Sequence, residues 1–162
     1  MNIPVQPARP DSLTRRKFCA YACQAASLLS AGTFAACGGS STSPTSTTAP
    51  ALSAVSGTVS GRTVSVSIDS GSALAAVGAA ATVQTPLGTF LISRTAQDAF
   101  TALTAVCTHE SCTITGYSGT QFVCPCHGSR FTTAGAVANG PATRSLQSYT
   151  TQFANGVLTF AV

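Results

Sequence analysis

The sequence predicts an all-β domain over residues 51–162, and three observations support that class. Residues 63–68 alternate polar and apolar side chains, which is the period of a half-buried strand. Asn155-Gly156, placed between two apolar runs, is a strong signal for a tight hairpin turn. No long helical periodicity occurs outside residues 1–37, so helices are not expected to build the core.

The same patterns predict the remaining strands in order. We expect strands at residues 79–85, 88–94, 100–106, 114–117, 121–123, 146–152 and 157–162. The first two should form a hairpin around residues 86–88, and Gly119 should turn the short hairpin at 114–123. The Ala-rich stretch at residues 74–81 is compatible with one helical turn.

Residues 1–37 are predicted to be a targeting segment. Residues 14–18 (TRRKF) resemble a twin-arginine signal, although a general secretory signal is an alternative. Cys37 follows Phe34-Ala35-Ala36, which resembles a lipoprotein processing box with Phe in place of the usual Leu. We therefore expect a periplasmic or other extracytoplasmic protein that a lipid on Cys37 anchors to the membrane. A retained N-terminal membrane helix and a cleaved signal are the alternatives.

Residues 38–50 are rich in Ser, Thr and Pro and contain no large apolar side chain. Such a segment cannot bury enough apolar surface to offset the entropy of ordering. We predict a flexible linker, or a low-complexity spacer without special motion, between the targeting segment and the domain at 51–162.

The distribution of charge indicates which partners are excluded, and the cysteine count indicates the redox compartment. Four basic residues and one acid before residue 38 give +3, while four Arg and three acids after it give +1, together the net +4. This distribution provides no basic patch, so we expect no nucleic-acid partner. Three of the seven Cys lie in the targeting segment and four in the domain, an even number that fits an oxidising compartment.

Two short boxes carry the chemistry, residues 107–112 (CTHESC) and 124–131 (CPCHGSRF). Each supplies one Cys–His pair, Cys107 with His109 and Cys124 with His127. Two thiolates and two imidazoles can bind one tetrahedral Zn²⁺, or a two-iron cluster with both sulfurs on one iron. Zinc modules usually pair Cys with Cys and His with His, so the mixed pairs favour the cluster, with a structural zinc domain as an alternative.

The two boxes resemble the C-T-H-x-x-C and C-P-C-H-G-S-x-[YF] motifs of the high-potential branch of the Rieske [2Fe–2S] family. The resemblance implies an antiparallel β-sandwich with two cluster loops at one tip. It also implies that Cys107 and Cys124 ligate one iron of a [2Fe–2S] cluster and that His109 and His127 ligate the other. Two thiolates leave the oxidised cluster neutral, which explains why such clusters have potentials of about −150 to +300 mV, against about −400 mV for plant-type ferredoxins.

The resemblance extends to residues around the cluster. Cys112 and Cys126 are implied to form a disulfide, which favours the cytochrome bc or arsenite-oxidase-like branch over ferredoxins that feed oxygenases. Residues 139–142 (NGPA), with Pro141, are similar to the family's proline loop. The hydroxyl of Ser129 is implied to donate to a bridging sulfide and thereby to favour the reduced state.

Two positions depart from the pattern of quinol-oxidising relatives. Phe131 stands where many of them carry a Tyr whose hydroxyl donates to a ligand sulfur, so we expect a lower potential than in a relative with both donors. Glu110-Ser111 replaces Leu-Gly, and a carboxylate near the tip should lower the potential and hinder docking into an apolar quinol pocket.

The sequence therefore predicts an electron-transfer protein that works with a redox partner, a cytochrome or an oxidoreductase subunit. The alternative is the Rieske subunit of a quinol–cytochrome c (bc-type) or arsenite-oxidase-like oxidoreductase. The chain shows no nucleophile–base set, so we do not expect it to be catalytic alone.

Overall fold

The computed structural model describes residues 49–162. The predicted targeting segment, Cys37 and nearly all of the predicted linker lie outside the described residues. Residues 49–162 form strands, turns and loops without a helix, which confirms the all-β prediction, and so they provide no helix that is long and apolar enough to span a membrane. The strands are β1 (Ser53–Ser56), β2 (Thr58–Ser60), β3 (Thr63–Ser67), β4 (Ala80–Thr85), β5 (Gly88–Ala96), β6 (Ala99–Thr104), β7 (Gly116–Tyr117), β8 (Gln121–Val123), β9 (Arg130–Thr132), β10 (Val137–Asn139), β11 (Ser148–Tyr149), β12 (Thr151–Ala154) and β13 (Val157–Ala161).

These strands form three sheets in the described part of the chain. A base sheet has the order β1-β4-β5-β6-β11, a second sheet has the order β12-β13-β3-β2, and a cluster sheet has the order β10-β9-β8-β7. Neighbouring strands are antiparallel except β1 and β4, which are parallel with Ser53 opposite Ala81. The parallel pair is possible because β2 and β3 intervene and give the chain enough length to return in the same direction.

The strands predicted from alternation are present. In β3, Val64 and Val66 are fully buried while their neighbours are not. Strands β4 and β5 form the predicted hairpin, and their last pair sets Thr85 opposite Gly88. The period-2 pattern therefore identified the face of β3 that packs into the core.

The predicted strand at 146–152 is instead divided between two sheets. Strand β11 pairs with β6 in the base sheet, whereas β12 pairs with β13 in the second sheet. Thr150 separates the two strands, and the Thr151 hydroxyl donates to the Phe100 carbonyl at 2.8 Å where the chain changes sheet. The predicted hairpin turn at Asn155-Gly156 is present, with φ values of 50° and 75°.

The Ala-rich stretch at 74–81 forms successive turns instead of a helical turn and then enters β4. The guanidinium of Arg94 donates to the carbonyls of Leu74 and Ala75, at 3.3 and 2.5 Å. Those carbonyls are thus held by a side chain from β5. A short stretch that contains Gly78 has little helical propensity with which to compete.

Two apolar cores result. The first lies between the base sheet and the second sheet and includes Val64, Phe90, Phe100, Leu158 and Phe160. The second lies at the cluster sheet and consists of Leu91, Leu103, Ala105, Cys107, Ile114, Phe122, Cys124, Phe131, Ala142 and Leu146. The second core contains one Cys from each box, so the two boxes meet over a common apolar base.

Candidate metal centre

The first box forms a tight loop that follows β6. The backbone N–H of Cys107 donates to the Cys112 carbonyl at 2.8 Å, and the N–H of Ser111 donates to the Cys107 carbonyl at 2.9 Å. Ser111 has a φ of 57°, in the left-handed region that residues other than Gly, Asn and Asp rarely adopt. The loop thus closes on itself over residues 107–112, with Cys107 buried and residues 109–111 exposed.

The second box forms a loop of the same design after β8. The N–H of Cys124 donates to the Ser129 carbonyl at 2.9 Å, and the N–H of Gly128 donates to the Cys124 carbonyl at 3.0 Å. Gly128 has a φ of 74° and is the counterpart of Ser111, four residues after the loop's first Cys. The two loops are therefore structurally equivalent, and each begins at a Cys of the second core.

The four predicted ligands differ in their exposure to solvent. Cys107 and Cys124 are each 2% exposed and carry free thiols. His109 and His127 are exposed, and their ring centroids lie 5.0 Å apart. The sulfur donors thus lie inside and the nitrogen donors outside, one of each from each loop.

The thiol of Cys124 has a raised pKa in this structure. Burial raises the pKa above its ordinary value, while the backbone N–H groups of Cys126 and His127 oppose the shift by donating toward the sulfur. The neighbouring Cys107 thiol raises the pKa further. The buried thiol of Cys124 is therefore costly to ionise unless a cation lies beside it, and the two N–H donors are already placed to stabilise its thiolate.

A disulfide joins the two loops. Cys112, which ends the first loop, is bonded to Cys126 in the second, with the Cα atoms 6.5 Å apart. This is the pair that the resemblance implied. The bond spans a sequence separation of 14 residues, and it ties the loops together near the exposed imidazoles.

The predicted proline loop packs against the second loop. Ser129 is fully buried, and its Oγ accepts a hydrogen bond from the backbone N–H of Ala142 at 3.0 Å. Pro141 precedes Ala142, is exposed, and follows a cis peptide bond from Gly140. Because the Ala142 N–H uses an acceptor site of Ser129, the hydroxyl hydrogen remains available for another acceptor.

The side chain of Phe131 is buried, whereas that of Glu110 is exposed to solvent. Phe131 is fully buried in β9 and belongs to the core that holds Cys107 and Cys124. The Glu110 side chain is 60% exposed, and its Oε2 lies 3.6 Å from Nδ1 of His127. The carboxylate of the first loop thus approaches the imidazole of the second.

Sequence reasoning missed one contact between loops. The Thr108 hydroxyl donates to the Arg144 carbonyl at 2.6 Å and so ties the first cluster loop to the chain after the proline loop. The two residues are 36 positions apart, and neither stands in a pattern that links them. The left-handed φ of Ser111 was not predicted either; the signal for it was the expected correspondence of Ser111 to the Gly of a Leu-Gly pair.

The donor set fits a [2Fe–2S] cluster. Two buried sulfurs and two exposed nitrogens on facing loops provide different ligands for two irons, whereas one Zn²⁺ would draw four ligands around a single point. The family model described as "Rieske [2Fe-2S] domain" matches residues 59–150. The chain belongs to this family. Its cofactor is accordingly a [2Fe–2S] cluster, as predicted.

The chain is similar over a short stretch to iron-sulfur subunits of cytochrome b6-f complexes. The "Cytochrome b6-f complex iron-sulfur subunit" of Prochlorococcus marinus (strain AS9601) is 51% identical over 45 residues, which are 27% of this chain and 25% of that protein. The protein of the same description from Synechococcus sp. (strain JA-3-3Ab) is 50% identical over 46 residues, or 28% of this chain and 27% of that one. The chain thus spans about a quarter of the length of these curated relatives.

The chain is also similar to proteins of known structure. The cyanobacterial plasma membrane Rieske protein PetC3 from Synechocystis PCC 6803 is 30% identical, with a TM-score of 0.47, and the match covers 51% of this chain and 86% of that one. The ferredoxin of carbazole 1,9a-dioxygenase from Nocardioides aromaticivorans IC177 is 17% identical, with a TM-score of 0.47 and coverage of 60% and 96%.

Proposed function

We propose that this protein transfers single electrons between redox partners through a cluster held by Cys107, Cys124, His109 and His127. The observation that carries the proposal is the division of the donors, with both thiols 2% exposed and both imidazoles at the surface. A bound [2Fe–2S] cluster accepts and releases one electron. The two thiols would bind the inner iron and the two imidazoles the outer one.

The chain's own residues would shape that transfer. The second core keeps water from the sulfurs, and the N–H groups of Cys126 and His127 stabilise a thiolate at Cys124. The exposed rings of His109 and His127 would be the route between the outer iron and a partner docked at the tip. As the sequence predicts, the protein would act with a redox partner and not as a catalyst alone.

We further propose that the domain works outside the cytoplasm and is held at a membrane. The proposal rests on the twin-arginine-like residues 14–18, on Cys37 in a lipoprotein-like box and on the uncharged stretch before it. A lipid on Cys37 is the favoured anchor, with a retained N-terminal helix as the alternative. The Cys112–Cys126 disulfide is consistent with an oxidising compartment.

A second candidate is the Rieske subunit of a bc-type complex, and similarity to the b6-f iron-sulfur subunits favours it. Glu110 argues against quinol oxidation in its usual form, because a charged side chain that is 60% exposed would have to enter an apolar pocket. An arsenite-oxidase-like oxidoreductase is the other assembly that the sequence predicts. Copurification of a cytochrome b or of a molybdopterin subunit from native membranes distinguishes these assemblies from a separate carrier.

Metal analysis combined with EPR tests the proposed site. The full chain, purified anaerobically, should contain about two irons and two inorganic sulfides per molecule and give a rhombic EPR signal after reduction. His109→Cys, which replaces one nitrogen donor by a thiolate, should lower the potential because it adds a negative charge at the outer iron. Zinc in place of iron and sulfide, or an unchanged potential in a cluster-containing His109→Cys protein, would contradict the proposed ligand set.

A further inference from the structure

A short segment that precedes β1 lies along the free edge of the cluster sheet. The N–H of Leu52 donates to the Thr115 carbonyl at 2.8 Å, and the N–H of Tyr117 donates to the Pro50 carbonyl at 2.9 Å. Ala51 lies opposite Gly116 between these bonds in an antiparallel bridge. Residues 50–52 therefore supply the partner that the outer edge of β7 would otherwise lack.

The contact is close and partly apolar. A Cβ on Gly116 would lie 3.1 Å from the Ala49 Cβ and 3.1 Å from the Val123 carbonyl oxygen, so the backbone at 116 has little room for a side chain. Leu52 packs against the second core, which also contains the predicted ligands Cys107 and Cys124. The segment is thus fitted to this edge by shape as well as by hydrogen bonds.

The edge that it covers belongs to the hairpin between the two cluster loops. Residues 113–123 connect Cys112, the last residue of the first loop, with Cys124, the first of the second. The outer leg of that hairpin pairs with β8 through only two residues, Gly116 and Tyr117. A change in its position would therefore move Cys112, and through the disulfide it would move Cys126 as well.

The same segment connects the cluster sheet to the base sheet. Ser53 follows Leu52 directly and lies opposite Ala81 of β4. The Tyr117 hydroxyl lies 3.1 Å from the Gly78 carbonyl, near the start of β4, and 2.9 Å from the Gly119 carbonyl. The hairpin is thus connected to the base sheet in two ways, through residues 50–53 and through the hydroxyl of Tyr117.

We propose that residues 50–52 are a positioning segment for the cluster, an added edge strand that holds the inter-loop hairpin and so fixes the spacing of the two ligand loops. The inference rests on the proposed function, because it takes the two loops as the cluster site. Since the predicted linker ends at this segment, the segment would also be where the linker meets the cluster sheet.

Leu52→Pro in the full chain tests the proposal, because it removes the N–H that bonds Thr115 together with the packed side chain. Ala51→Pro is the matched control, since neither hydrogen bond uses the Ala51 N–H. We measure loss of the visible cluster absorbance to an iron chelator at a temperature where all variants stay folded, the EPR line shape, and amide exchange at Tyr117. Leu52→Pro should lose its cluster about five to ten times faster than wild type, with a changed line shape and faster Tyr117 exchange. Ala51→Pro should remain within about twofold of wild type.

The outcomes separate this proposal from the proposed function. Equal cluster lifetimes in Leu52→Pro and Ala51→Pro overturn the positioning role, whether or not Tyr117 exchange changes. If Leu52→Pro does not fold, Leu52→Ala decides: it keeps the N–H, and a cluster lifetime equal to that of wild type overturns the proposal, while a lifetime about two- to threefold shorter supports it. Absence of iron and sulfide from the wild-type chain would instead refute the proposed cluster site.

Discussion

Ser129 and Ala142 join the second cluster loop to the proline loop through one hydrogen bond, in which the Ala142 N–H donates to the Ser129 Oγ at 3.0 Å. Both residues are buried, Ser129 fully and Ala142 at 4% exposed. The same hydroxyl can accept this bond and still donate its own hydrogen. A single side chain can therefore hold the proline loop and tune a cluster beside it.

Ser129→Ala should lower both the stability of the protein and the reduction potential of the cluster. The Ala142 N–H would remain buried without an acceptor, which costs about 1–3 kcal/mol of stability. Loss of a hydrogen bond that favours the reduced state by about 1–2 kcal/mol should lower the potential by roughly 40–90 mV for one electron. Urea unfolding and redox titration measure the two effects. Ser70→Ala, an exposed serine in the turn after β3, is the control and should change neither quantity; an unchanged potential in Ser129→Ala would show that its hydroxyl does not reach the cluster.

Ser111→Gly should stabilise the protein. Ser111 has a φ of 57°, and the left-handed region costs a residue with a Cβ about 1–2 kcal/mol. Glycine removes that cost but adds flexibility to the unfolded chain, so we expect a net gain of about 0.5–1 kcal/mol by urea unfolding. Asn155→Gly, at a φ of 50°, is the matched control and should gain less, because Asn tolerates this region. A destabilised Ser111→Gly protein would mean that the side chain has a role beyond filling the turn.

Glu110→Gln should raise the potential, because it removes a negative charge near the outer ligand. The carboxylate lies 3.6 Å from a nitrogen of His127, but its exposure means that water screens its field. We expect a rise of roughly 30–60 mV at low salt that shrinks as ionic strength increases. Asp98→Asn removes an equal charge at the β5–β6 turn and should leave the potential unchanged. Equal responses of the two variants would indicate that only net charge matters.

Those parts of the structure that follow a repeating pattern or a compact motif could be predicted from the sequence alone. Alternation located β3, the turn residues at 86–88 indicated the β4–β5 hairpin, and the two boxes correspond to two loops that a disulfide joins. The spacing within each box is informative because each box closes its own loop, so the positions of the predicted ligands in one loop depend on few distant contacts.

The remaining features of the fold depend on long-range contacts, which leave no pattern in the local sequence. The parallel β1–β4 pair, the division of 146–152 between two sheets and the Thr108–Arg144 bond each join segments whose meeting is decided by packing elsewhere. The turns at 74–81 are held by Arg94, a β5 residue distant in sequence. Local propensity could not anticipate a guanidinium that competes for those carbonyls.

Cys112→Ser should loosen the cluster more than it shifts its potential. The disulfide spans a separation of 14 residues, and closing such a loop stabilises a protein by about 3 kcal/mol. Without it the two loops separate more readily, and we expect faster loss of the cluster to an iron chelator. The double variant Cys112→Ser/Cys126→Ser controls for the free thiol left by the single change. Cluster lifetimes equal to that of wild type in both variants would refute a clamping role for the bond.

Phe131→Tyr should raise the potential by supplying a donor that this chain lacks. Phe131 is fully buried in the core that holds both predicted ligand cysteines, so a hydroxyl added there has little access to water and gains from bonding a sulfur. A new hydrogen bond to the more negative, reduced site should raise the potential by roughly 40–90 mV. Phe122→Tyr, on the neighbouring strand opposite Phe131, is the control for the volume of the hydroxyl and should destabilise the core without raising the potential. Redox titration followed by EPR decides the matter, and a Phe131→Tyr potential at or below that of wild type would mean that the added hydroxyl finds no ligand sulfur.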